Sequence, residues 1–393
     1  MDDNGTAPVG GAEPDPSLDA AGGGDRRRRP WLSRVALGLA VVVVIVTLAG
    51  FAIHLDYTTI APGEALSLPG RVTVQGAKSY ADARGDIRLL FVREANHVNL
   101  WRYLQARLDA DIDLVKDNAV NPGSLSPTQL NDEGLQQMAD AKTAATAVAL
   151  EAAGYKVGLA PGLTVSDLTP GMPAINVLRW GDVILSVEGK KIVATTDVNA
   201  AIMKHKVGDE LTLVVDRSGK NVNLQVKVGV FTAPDLLKGH KGIGVELSPR
   251  FTFPVQVGVD TTNIGGPSAG LAMSLAILDD LTPGNLTGGA RVAVTGTIDA
   301  AGNVGEIGGI EQKAVAARAA GVKLFIVPQC SPSDPPAYLT SCKTDLARAA
   351  KRAGSKIEVK PVSTFKEALQ VLHDAGGATV STTLPSTSTT IAA

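Results

Sequence analysis

Ser268 and Lys313 are the residues whose types and setting could support covalent chemistry. Ser268 follows Gly265, Gly266 and Pro267 and precedes the apolar run 269–278, which reads as the start of a helix behind a tight turn. A hydroxyl at that place lies beside unpaired backbone N–H groups and the positive end of the helix dipole. Such donors can hold an oxyanion while the hydroxyl attacks a carbonyl. A serine hydroxyl is a weak nucleophile at neutral pH and needs a base. No histidine in the stretch from Asn263 to Lys313 offers one, whereas Lys313 stands 45 positions after Ser268, on a helix beginning near Gly309. To act as base its pKa must fall from about 10.4 to roughly 7–8. That requires burial against apolar neighbours, for which Val315, Ala316 and the 271–276 face are available.

The elements that position this pair set the next question. With 393 residues, 45% of them hydrophobic, the chain suits two or three domains with real cores. A net charge of −2 gives no footprint for nucleic acid. The strong basic run, Arg26–Arg29 with Arg34 beyond it, precedes an uncharged apolar stretch at 35–53. Nineteen residues rise about 28 Å, close to the roughly 30 Å hydrocarbon core. A signal peptide is the competing reading, but its apolar region is shorter, about 7–15 residues, and its basic segment is short. A transmembrane anchor is therefore expected, with the arginine side cytoplasmic and the region after His54 extracytoplasmic. Cys330 and Cys342, in a Pro/Ser-rich loop, suit a small disulfide in an oxidising compartment, worth about 3 kcal/mol in the chain-entropy model. Two unpaired thiols are the alternative. No cofactor or metal site is expected, since further Cys or His ligands are not near.

The residues around the pair resemble the Ser–Lys dyad peptidases of the Lon type. The match lies in G-G-P-S-A-G at 265–270, T-G at 295–296 and G-E-I-G-G-I-E-Q-K at 305–313. The resemblance implies that Ser268 is the nucleophile, Lys313 its base and Thr295 the residue that orients the lysine. Many Lon proteases carry an acidic residue before G-P-S-A-G, where this chain has Gly266. A second resemblance, to PDZ domains, rests on L-T-P-G-M-P-A and W-G-D-V-I-L-S-V-E-G-K-K-I. It implies a peptide-binding strand at Gly162, Leu163, Thr164 and Val165, with a helix from Asp197 as the other wall. This chain has P-G-L-T where many PDZ domains have G-L-G-F. Lon-type domains commonly assemble into rings, which leaves a homo-oligomer open.

The expected class is α+β: a Lon-type proteolytic domain with an inserted mainly-β PDZ domain, after one N-terminal transmembrane helix. The expected layout is a disordered cytoplasmic tail at 1–30, the anchor at 35–53 and a first protease part at 57–153. The PDZ domain follows at 155–230, the second protease part at 240–375 and a disordered Ser/Thr-rich tail at 376–393. That order resembles membrane-anchored YlbL-like bacterial proteases. Gly189-Lys190 is followed by Lys191 and Gly219-Lys220 by Asn221, so neither forms a phosphate-binding loop, and no ATP use is expected. The expected function is ATP-independent hydrolysis of peptide bonds in extracytoplasmic or membrane proteins, with the PDZ domain selecting substrate or gating the site. The alternative is a membrane-anchored peptide-binding scaffold with an inactive protease fold.

Overall fold

The computed structural model describes residues 30–80, 85–232, 237–262 and 264–380. Residues 1–29 of the expected N-terminal tail, 381–393 of the C-terminal one, and Asn263 lie outside them. Two compact units are present, divided after Ile53. In the first, α1 (Pro30–Ala52) is a single helix whose segment Arg34–Ala52 is long and apolar enough to cross a membrane.

The second unit opens with β1 (Tyr57–Ser67), β2 (Val72–Gln75), β3 (Asp86–Ala95), α2 (Leu100–Leu108), β4 (Asp113–Lys116), α3 (Asp117–Val120) and α4 (Pro127–Ala152). Next come β5 (Gly158–Leu168), β6 (Val183–Val187), β7 (Lys190–Lys191), α5 (Thr195–Lys204), β8 (Glu210–Arg217), β9 (Lys220–Lys227), β10 (Gly229–Val230) and β11 (Lys241–Gly242). Then follow β12 (Val245–Thr252), β13 (Gln256–Val259), α6 (Gly270–Leu281), β14 (Arg291–Val294), β15 (Thr297–Ile298) and β16 (Val304–Gly305). The last are α7 (Ile310–Ala319), β17 (Leu324–Pro328), α8 (Pro336–Ala353), β18 (Glu358–Val362) and α9 (Phe365–Asp374).

A six-stranded sheet in the order β18-β17-β14-β3-β1-β4 forms the frame. Its four strands from β18 to β3 are parallel, and β1 pairs antiparallel with both β3 and β4. Side chains alternate across the pleat. Leu89, Val292, Val294, Leu324 and Ile326 enter one core with α4 and α6, while Leu90, Ala293, Phe325 and Val327 enter another with α7 and α8. Helices thus cover both faces, as strands this apolar require. Ser126 caps α4 through a capping box with Gln129, and Asn99 and Thr364 cap α2 and α9.

Between α4 and β13 the chain builds a separate sheet, β12-β5-β6-β8-β9, around its own core, which includes Leu163, Val165, Ile184, Leu213 and Val215. It interrupts the larger sheet, whose strands come from both sides of it in sequence.

Pro62-Gly63 lies within β1, where a register shift between Pro62 and Ala65 absorbs it, and a Cβ at Gly63 would run into the Phe91 carbonyl. Expectations change at two places. The stretch 336–342, expected as loop, is the start of α8, since proline fits a helix's first turn. The stretch after Val230 forms in part a hairpin, with β10 paired to β11 and the Lys241 amine donating to the Met203 and His205 carbonyls at the end of α5. Residues 376–380 are not a free tail: Ala378 N–H donates to the Asn285 carbonyl and Val380 packs on the core.

The serine helix is tied to the frame at its far end by Asp279, 2% exposed, whose carboxylate accepts from the Gly85 and Leu286 N–H groups. Asp279→Ala leaves two buried donors without this acceptor, a loss of about 2–4 kcal/mol. Chemical denaturation should show a lower midpoint with an unchanged slope.

Candidate active site

Gly266 sits at φ +86°, a conformation glycine adopts without strain, and its N–H donates to the Gly134 carbonyl of α4 at 2.8 Å. The position occupied by an acidic residue in many Lon proteases is here a backbone corner. Gly265 lets the turn come close to α4: a Cβ on it would lie 3.3–3.4 Å from Gly134 backbone atoms. The turn delivers Ser268 two residues ahead of α6, slightly earlier than the sequence suggests. Among the described residues no acceptor engages the Ser268 or Ala269 N–H groups, while Gly270 N–H bonds the Pro267 carbonyl and Leu271 N–H the Gly296 carbonyl.

Lys313 lies on α7, begun by Gly309 in the left-handed region at φ +64°. Its ammonium nitrogen donates to Ser268 Oγ at 2.9 Å, joining the two residues that the sequence singles out. Lys313 is 2% exposed, and burial lowers its pKa from 10.5 to about 7, against the charge of Glu94, which raises it. Val315, Ala316 and all of α6 are buried around this region. Thr295 does not reach the lysine among the described residues. Its hydroxyl donates to the Ser268 carbonyl at 3.2 Å, and Gly296 N–H donates to the same oxygen at 2.9 Å. Both follow the carboxyl end of β14, so the T-G pair fixes the Ser268 backbone to the sheet.

The pair opens on a cleft of about 580 Å³ whose walls include Glu94, Asp117, Glu133, Gln137 and Pro267. Asp56, His97 and Asp117 bring ligand atoms within 4.8 Å of one another near its rim, but two of the three are exposed, and His97 is already paired to Asp117 at 2.8 Å. Gly134 and Glu94 were not singled out from sequence. A glycine inside a helical run was a usable signal for the first; none marked the second.

The expected peptide-binding strand is occupied. Gly162, Leu163, Thr164 and Val165 lie in β5, with β12 paired along one edge (Leu163 with Pro249, Thr164 with Ser248, Val165 with Leu247). On the other edge Leu163 and Thr164 pair with β6. Gly162 N–H donates to the Ile192 carbonyl and Val165 N–H to the Asp182 carbonyl. Strand addition at 162–165 would require β12 to leave. Helix α5 starts at Thr195, and Asp197 caps it by accepting from the Val193 and Ala194 N–H groups. Cys330 and Cys342 are bridged, with Cα atoms 5.8 Å apart, tying the end of β17 to α8.

Comparison with known families agrees with these two bodies. Residues 135–228 match the PDZ domain, and 251–372 match the Lon protease (S16) C-terminal proteolytic domain. The chain therefore combines a PDZ domain with a Lon-type proteolytic domain, in a mixed helix-and-strand fold. It is 31% identical to a Lon protease of Clostridioides difficile over 213 residues (52% of this chain, 23% of the relative). It is 33% identical to one of Neorickettsia sennetsu over 108 residues (28% and 12%). A serine protease Do-like HtrA of Lactobacillus helveticus is 34% identical over 74 residues (19% and 18%). The chain thus spans less than a quarter of the length of these curated relatives. Among solved structures, the PDZ domain of an SdrC-like protein from Listeria monocytogenes is 27% identical, covering 22% of this chain and 86% of its own, with a TM-score of 0.20.

Thr295→Val keeps the shape and removes the hydroxyl that holds Ser268's carbonyl. Since Gly296 N–H remains, the expected cost is about 1–2 kcal/mol in stability and roughly tenfold in kcat. The acid-limb pKa of the rate profile should stay fixed; a shift of that limb would show that Thr295 acts on the lysine instead.

Proposed function

We propose that this chain is a membrane-anchored serine endopeptidase that works through a Ser268–Lys313 dyad without ATP. One observation supports it above the rest: a lysine amine buried to 2% exposure, lowered to about 7 and 2.9 Å from a serine hydroxyl. A structural lysine has no need of such a place. In the reaction neutral Lys313 takes the Ser268 proton as Oγ attacks the scissile carbonyl. The N–H groups of Ser268 and Ala269 are the donors available to the tetrahedral oxyanion. The ammonium then gives its proton to the leaving amine, and water releases the acyl group by the same steps.

Helix α1 supports anchoring, and the arginines before it support a cytoplasmic N-terminus with the protease on the far side. Substrates are then extended segments of extracytoplasmic or membrane proteins. For the PDZ domain, gating is favoured over direct strand capture, because β12 fills the edge of β5 and leads within 16 residues to Ser268. Withdrawal of β12 by a competing strand would pull on the serine turn.

The full chain in detergent should degrade an unfolded protein without nucleotide, and Ser268→Ala, Lys313→Ala and Lys313→Arg should each abolish this. Retained cleavage in any of them would reject the dyad. Because the neutral amine is the reactive form, kcat/KM should rise tenfold per pH unit below about 7 and level off above it.

The same burial costs stability. Above pH 10.5 lysine is neutral in both folded and unfolded states and the cost vanishes; it grows as pH falls toward 7 and is constant below. At neutral pH it amounts to roughly 4 kcal/mol. Lys313→Met should therefore be inactive yet more stable than the parent at pH 7, with the gain shrinking at pH 10 in thermal or chemical denaturation.

A further inference from the structure

A second cavity of about 310 Å³ lies against the dyad cleft, and Gln137 and Pro267 line both. Pro267 directly precedes Ser268. The walls come from α4, from β5 and β12 of the smaller sheet, and from the segment at 298–300. Its charged residues are Asp140, Asp167, Glu246 and Asp299; among the described lining residues none is basic. Burial and the charge of Glu246 push Asp140 up to about 6, although its hydrogen bond from Gln136 opposes this. Burial and the charge of Asp167 likewise raise Glu246.

Two polar atoms of its wall are free to meet a ligand. Among the described residues Ser166 Oγ has no hydrogen-bond partner although the residue is only 7% exposed, and Asp140 Oδ2 is also buried without one. Ser166 lines the cavity, while its neighbour Val165 belongs to the core on the other face of the strand. A buried hydroxyl and carboxylate oxygen left unpaired are costly, and a cationic group would satisfy both. The adjoining cleft has the same character, with Glu94, Asp117 and Glu133 in its walls and, among the described lining residues, only His97 and Lys313 as basic members.

We propose that this cavity is a specificity subsite that receives a basic side chain, arginine or lysine, of a substrate whose scissile bond sits at Ser268. The inference rests on the protease reading above. Substrate lies in the dyad cleft, and a long side chain passes over Pro267 so that its cation meets Asp140, Glu246 and Ser166. This assigns the substrate class as cationic extended segments, and it gives the PDZ strands a direct part in the site, since Ser166 and Glu246 belong to β5 and β12.

The test uses the full chain in detergent and quenched peptides that carry arginine, or its neutral isostere citrulline, at successive positions around one scissile bond. At one position arginine should exceed citrulline in kcat/KM by about 10- to 100-fold. Glu246→Gln should reduce that ratio below about threefold, chiefly through a higher KM for the arginine peptide. Asp140→Asn, which keeps the contact with Gln136, gives the same readout should the first variant fold poorly. Equal cleavage of arginine and citrulline peptides at every position, with cleavage still lost in Ser268→Ala, would overturn the subsite and leave the protease intact. A preference that follows added calcium or EDTA rather than peptide charge would assign the cavity to a metal and overturn it too. No cleavage of any peptide or unfolded protein would remove both readings.

Discussion

One constraint governs the packing around the site: the Lys313 amine is buried, which lowers it to about 7, and it lies 2.9 Å from Ser268 Oγ. Lys313 needs an apolar surrounding to lose its proton near neutrality, and that surrounding must hold it within reach of Ser268. The two requirements explain why α7 is packed so closely. Ala314, Ala316 and Ala317 are all but fully buried against the sheet and α8, and small side chains allow that close approach. The helix bearing Lys313 and the turn bearing Ser268 belong to opposite faces of the sheet. They are brought together where β14 ends, with Thr295 and Gly296 fixing the serine's carbonyl. Open α/β sheets place their sites at the carboxyl ends of strands for the same geometric reason.

The smaller sheet is more than an appendage. β12 completes it at one edge and then runs on as the chain that reaches β13 and the serine turn. The other strap on that turn is α4, through the Gly134 carbonyl, and α4 also packs against β5 and β12. Any rearrangement of β5 and β12 is therefore felt at both supports of Ser268. A sheet edge filled by the chain's own strand is protected from unwanted pairing, and here that strand is also the lead into the Ser268 turn.

How much of this the sequence discloses follows from how local each signal is. Ser268 and Lys313 stand out because a glycine-rich turn before an apolar run, and a lysine one helix later, are short-range patterns with a direct chemical meaning. Strands such as Val183–Val187 and Arg291–Val294 are legible from β-branched residues alone. The pairing of β12 with β5 is not, because it joins segments some 80 positions apart and neither edge announces its partner. Thr295 shows the same limit at the scale of one side chain. Its place in the T-G pair is visible, but whether its hydroxyl meets the lysine or the serine carbonyl is decided by the path of the chain beyond β14. Residues 336–342 read as loop because prolines and serines cluster there, although proline is at ease in a helix's first turn.

The carboxylates and the lysine act against one another. Glu94 favours the ammonium, so a cleft rich in negative charge would hold Lys313 protonated unless burial outweighs it. Burial does outweigh it, which is why the lysine is nearly inaccessible while Glu94 is exposed to solvent and screened.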